Sequence, residues 1–136
     1  MSFLDHIKRC NSFDLTQFYP WTVSSQKVGY VHQQLVTKLL SFPETFSLES
    51  NELKMSDKLK NIEERSQALD KILKMLRDDA IGGFKLNEKY SVRSSIDQPP
   101  LLIIDRGAAD LFGILSTGFH LNGIVGDKGN LKMWIA

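Results

Sequence analysis

Between Ile62 and Ala80 the apolar residues Ile62, Leu69, Ile72, Leu73, Leu76 and Ala80 recur at the 3.6-residue period, with Glu63, Glu64, Lys71, Lys74 and Arg77 on the other side. No other segment constrains the fold as strongly. A helix from about Ile62 to Ala80 with one apolar stripe needs a surface to cover, so the rest of the chain must supply one. Glu63 and Glu64 in the first turn suit the positive end of the helix dipole, and Gly82-Gly83 stops the helix.

The remaining segments read mostly as strands. Phe18-Tyr19-Pro20-Trp21-Thr22-Val23 is aromatic and β-branched. A polar Ser24-Ser25-Gln26-Lys27 turn separates it from Val28-Gly29-Tyr30-Val31, which predicts a hairpin. Phe46-Ser47-Leu48 and Leu53-Lys54-Met55 alternate around Ser50-Asn51 and predict a second one. Two shorter helices are expected. One runs from Phe3 to about Cys10 behind a Ser2 cap; the other spans 32–42 with Leu35, Val36, Leu39, Leu40 and Phe42 as its stripe, closed by Pro43. After a polar connector ending in Pro99-Pro100, the run Leu101-Leu102-Ile103-Ile104 has the character of a strand buried on both faces. Residues 107–112 read as a short helix, and 114–136 as strand, turn, strand. Helices interleaved with antiparallel strand pairs define an α+β fold with about three helices.

The chain has 136 residues, 42% hydrophobic and 24% charged, with a formal charge of +1. That is enough for one domain with a core and removes disorder as the main description. The balanced charge also removes the bulk electrostatic case for nucleic acid or anionic membrane, so neither is expected as a partner. No apolar run approaches the roughly 20 residues needed to span a bilayer, and no targeting pattern is visible at the N-terminus. The lone Cys10 forms no internal disulfide. These features point to a reducing, cytoplasmic setting.

Familiar catalytic signatures are missing. There is no phosphate-binding Gly-Lys-Ser/Thr loop, no G-x-G-x-x-G turn and no G-x-S-x-G elbow. His6, His32 and His120 are far apart and lack a neighbour at zinc spacing. Glu63 and Glu64 diverge by about 100 degrees on a helix and form no joint metal ligand set; a solvated first turn is the better reading. Cys10 reads as an inert cysteine. Two clusters stay open. Tyr19 and Trp21 could stack on a heterocycle or pack in the core, with core packing favoured. In a strand, His120 and Asn122 would project on one face of Gly118-Phe119-His120-Leu121-Asn122-Gly123, lining a ligand site or an ordinary polar strand face.

An ordered set of segments carries a family resemblance: Phe3-Leu4-Asp5-His6-Ile7 with Cys10-Asn11, Lys27-Val28-Gly29-Tyr30-Val31, Leu40-Ser41-Phe42-Pro43 and Glu63-Glu64-Arg65. Arg106-Gly107-Ala108-Ala109 with Leu111-Phe112-Gly113 follows, then Gly118-Phe119-His120-Leu121-Asn122-Gly123 and Leu131-Lys132-Met133-Trp134-Ile135-Ala136. Together they resemble the N-terminal region of the thiamine pyrophosphokinase-related Nudix hydrolases. The resemblance implies an accessory domain over 1–118 and the opening β-hairpin of a Nudix domain over 119–136, the rest lying downstream. It implies a parent diphosphatase that converts damaged thiamine diphosphate analogues to monophosphates. In that family, glutamates of an R-E-U-x-E-E helix hold magnesium, which neutralises the diphosphate and activates water. No Arg-Glu dipeptide occurs in this chain, so no catalytic or metal-binding residue carries over and the 136 residues alone are expected to be inactive. Tyr19, Trp21, His120 and Asn122 are the candidate substrate-binding residues. A structural or dimerisation module without ligand contact is the alternative. The strand at 131–136, whose sheet partners would lie downstream, is expected to pair between copies or to dock back on the domain's own sheet.

Overall fold

The computed structural model describes residues 2–10, 14–78, 85–118, 121–127 and 129–134. It contains three α-helices, α1 (Phe3–Cys10), α2 (Gln33–Leu39) and α3 (Ile62–Asp78). Its strands are β1 (Phe18–Val23), β2 (Gln26–His32), β3 (Phe46–Glu49), β4 (Glu52–Met55), β5 (Lys89–Val92), β6 (Leu102–Asp105), β7 (Ile124–Val125) and β8 (Lys132–Met133). The fold is α+β, as the segment pattern implied.

Both expected hairpins form, and their tips explain why. Ser24 and Ser25 hold φ of 49° and 62°, and Ser50 and Asn51 hold 49° and 64°. Two consecutive left-handed residues match the twist of paired strands, so these short polar residues stand in for the more usual Asn-Gly. The two hairpins join into one sheet of order β2-β1-β4-β3. The junction is parallel, with Trp21 opposite Leu53 and Thr22 opposite Lys54. Pairing between hairpins is set by what the whole sheet packs against, and the individual strands carry no signal for it.

α2 begins where His32 takes the capping position. Its ring Nδ1 accepts the Gln34 N–H at 3.3 Å. Leu35, Val36 and Leu39 then turn into the core. α3 is capped reciprocally. Asn61 Oδ1 accepts the Glu64 N–H at 2.8 Å, while the Glu64 carboxylate accepts the Lys60 N–H at 2.7 Å. Leu69, Ile72, Leu73 and Leu76 are its buried stripe, and each contributes roughly 2 kcal/mol by leaving water. The expected continuation to Ala80 and the Gly82-Gly83 stop lie outside the described residues.

β6 departs from expectation. Leu102 and Ile104 are buried, but Ile103 is only partly so, which makes a one-sided strand rather than one buried on both faces. Its partner β5 lies in the stretch that reads as polar connector. Lys89, Tyr90, Ser91 and Val92 alternate in type, and register against Asp105, Ile104, Ile103 and Leu102 sends Tyr90 and Val92 inward. α3 covers the other edge of β6. Ser66 Oγ accepts the Ile103 N–H at 2.8 Å and donates to the Ile62 carbonyl at 2.6 Å. Arg65 binds three carbonyls, those of Leu59 at 3.0 Å, Lys60 at 3.1 Å and Leu101 at 3.2 Å. The Ile103 amide and the Leu101 carbonyl are thereby satisfied without a further strand.

The expected helix at 107–112 resolves into two 3-10 turns, Arg106–Ala108 and Asp110–Phe112. Phe112 is fully buried and lies against Trp21, ring centroids 4.8 Å apart. This contact ties the second half of the chain to the main sheet. Beyond Ile114, the last buried residue of the core, β7 and β8 form a small hairpin, closed by the Trp134 N–H on the Gly123 carbonyl at 2.9 Å. Its apolar side chains Ile124, Val125, Leu131, Met133 and Trp134 all remain exposed.

Candidate functional site

A concave surface lies between α3 and the outer face of the β5–β6 ribbon. One wall is a second stripe of α3, made by Ile62, Glu63, Ser66, Gln67 and Asp70. These positions follow the i, i+4 and i, i+3 spacing, rotated from the core-facing stripe. The other wall carries Ile103 and Asp105 from β6 and Lys89 from β5, with Lys85 and Asn87 leading in. The volume is about 520 Å³. Asp105 organises one end. Its side chain is about 10% exposed, and its carboxylate accepts the N–H groups of Leu86 at 3.1 Å, Asn87 at 3.1 Å and Gly107 at 2.9 Å. Arg77 Nη2 stands 3.7 Å away, in ion-pair range. Burial pushes the Asp105 carboxyl upward, but the three backbone donors and Arg77 outweigh it, so its pKa lies below the ordinary aspartate value.

Of the residues singled out from sequence, Tyr19, Trp21 and Asn122 do not line this groove. Trp21 is fully buried, its indole against Phe112 and its Nε1 without a hydrogen-bond partner. With no part of its ring exposed, Trp21 offers no face for a ligand to stack on, and core packing is the role this indole has. Tyr19, two residues earlier on the same face of β1, is half-buried against the same core. Asn122 is exposed and precedes β7, which starts only at Ile124, so the expected strand over 118–123 is not present at residues 118 and 121–123. His120 lies outside the described residues. Among the described residues no three His, Cys, Asp or Glu side chains gather as a metal site. Glu64 is committed to its capping bond. The described residues therefore offer no ligand set that fits a magnesium ion.

Sequence reading missed the groove because its walls come from segments some 20 to 40 residues apart. The signals available were the serine inside the α3 pattern at position 66 and the polar-apolar alternation of 89–92.

The model of a family described as a domain of unknown function, DUF4743, matches residues 2–116. The chain belongs to the DUF4743 family. The match ends just after Ile114, where the buried core also ends. The chain is 32% identical over 98% of its length to Nudix hydrolase 20, chloroplastic, of Arabidopsis thaliana, and 33% identical over 98% to Nudix hydrolase 24, chloroplastic, of the same plant. It spans 38% of the length of each. A protein of Saccharomyces cerevisiae, named as uncharacterized, is 27% identical over 87% of the chain, which spans 37% of it. Both plant relatives are Nudix hydrolases, and this DUF4743 chain is a Nudix-associated domain. The plant names overturn the expectation of a cytoplasmic setting, since both relatives are chloroplastic. A plastid address is read by receptors from a leader segment, so cysteine count and domain composition do not report it. Among the described residues no helix is long and apolar enough to cross a membrane.

Proposed function

We propose that this DUF4743 domain is the accessory part of a Nudix hydrolase whose substrate is an organic diphosphate of the thiamine diphosphate type, damaged analogues being cleaved to monophosphates. The carrying observation is the 32–33% identity to two Nudix hydrolases across 98% of the chain. In this reading residues 1–118 assist recognition of the organic end of the substrate, and the hairpin after them begins the catalytic domain. Magnesium and the bond-breaking groups belong to that domain. Tyr19, His120 and Asn122 are the residues available for recognition, and Trp21 acts from within the core. Support for the division comes from the exposed hairpin, which contributes nothing to the core yet falls in a region shared with the relatives, since the matches cover all but a few residues of the chain.

The test is phosphate release from oxidised thiamine diphosphate with magnesium. The full-length protein is expected to be active and the 136-residue chain alone inactive. Activity in the isolated chain, or none in the longer protein on any thiamine diphosphate analogue, removes the proposal. Unchanged kcat/KM in the full-length variants Tyr19→Ala and His120→Ala removes the recognition role alone.

A dimerisation module is the second reading, favoured by the exposed apolar side chains of β7–β8 and of α1, whose Phe3 and Leu4 are 79% and 64% exposed. Sedimentation of the chain decides it: a strict monomer at high concentration eliminates this reading.

A further inference from the structure

We infer that the groove between α3 and the β5–β6 ribbon is a binding site for a small organic anion with an apolar body. Its inventory of charge points that way. Of the ionised groups along it, Asp70 pairs with Lys74, Glu88 with Arg106, and Asp105 with Arg77 and three backbone N–H groups. Lys85 and Lys89 make no ion pair among the described residues, and both are exposed. They share one end of the groove: Lys89 is directly opposite Asp105 in the ladder, and Lys85 precedes Leu86, whose N–H is held by the same carboxylate. Two uncommitted ammonium groups at one end make that end a seat for a carboxylate or phosphate. Glu63, also without an ion pair among the described residues, sits at the opposite end, three residues before Ser66 and its bond to Ile103, and repels an anion from there. The ligand is therefore oriented.

The middle of the groove is apolar. Ile62 and Ile103 are each partly exposed and face it, with Gln67 offering an amide beside them. A volume of about 520 Å³ is far more than an inorganic anion fills and lies within the usual range for small-molecule sites. The walls are pre-set rather than floppy. Ser66 clamps α3 to β6, and the Asp105 carboxylate fixes the backbone that carries the lysines. Nothing in this inference depends on the hydrolase reading, because it needs neither turnover nor a second domain.

The test uses the 136-residue chain and 1-naphthyl phosphate as probe, followed by amide NMR shifts. Saturable shifts centred on Ser66, Gln67, Lys89 and Ile103 are expected. The Lys85→Glu, Lys89→Glu double variant should weaken binding on the order of tenfold, and added salt should weaken it in the wild type. Ile103→Trp, which fills the apolar middle, should block binding. Inorganic phosphate and 1-naphthol, each carrying half of the chemistry, should bind far more weakly than the whole probe. Shifts centred instead on residues 121–134 or on α1, the other exposed apolar surfaces, would overturn the inference. So would an unchanged affinity in the double lysine variant, whose own spectrum reports whether it is folded.

Discussion

Replacing Gly29 with alanine should be among the most damaging single-methyl changes available in this protein. A Cβ at residue 29 would lie 2.2 Å from the Phe112 carbonyl oxygen and 2.8 Å from that of Gly113. Both are backbone atoms, so no side chain can rotate away. The contact is reciprocal: Gly113, at φ +49°, would place its own Cβ 2.5 Å from the Tyr30 carbonyl oxygen. Relief requires the 3-10 turn at Asp110–Phe112 to lift from β2, which draws Phe112 off Trp21. Overpacking alone costs about 1–3 kcal/mol. Partial loss of the Phe112 contact adds to it, a full Phe deletion costing about 3–5 kcal/mol. The expected loss is about 3 kcal/mol, or about 10 °C in Tm for a chain this long. Urea unfolding followed by indole emission reads it directly, since Trp21 is buried and Trp134 is 74% exposed in the folded state. Gly118→Ala is the control, because among the described residues nothing lies within 4 Å of the added methyl there. Equal stability of the two variants, within about 0.5 kcal/mol, would refute the close approach of β2 to this turn.

Three further outcomes are expected. Arg65→Ala should cost about 2–3 kcal/mol in urea unfolding, because three carbonyls lose a charged donor at once; Arg65→Lys should recover only part, since an ammonium lacks the planar fork that spans them. Asp105→Asn should lower stability at neutral pH by about 2 kcal/mol. The folded state favours the ionised carboxylate, so its contribution is full above the unfolded aspartate pKa and is lost as pH falls through the lower folded value; wild type and variant should therefore converge in acid, and a gap that stays constant with pH would disprove the assignment. Ser25→Gly should stabilise by about 0.5–1 kcal/mol in thermal melts, since residue 25 holds φ 62° at a hairpin tip.

Much of the secondary structure was legible because its causes are local. The stripe of α3, the alternation of β3 and β4 and the polar residues at 24–25 and 50–51 each act within a few residues. β5 was not legible: four residues of mixed polarity gain strand identity only by pairing with β6. Ile103 belonged to an apolar run whose burial could not be apportioned until α3 was placed along the strand edge. Trp21 shows the same limit for function. An aromatic residue on a strand serves a ligand or a core according to what covers that face, and the covering residue, Phe112, lies far along the chain.

By itself the amino-acid order determined the α+β class, where most elements start and stop, and the kinship with Nudix hydrolases, since propensity, turn geometry and segment order are properties of neighbouring residues. Only tertiary structure decided that the two hairpins join in parallel, that Trp21 is interior, and that Lys85 and Lys89 share one end of a groove with Ser66 and Ile103. Those facts depend on which distant surfaces exclude water from one another, and that is settled by the packing of the whole chain.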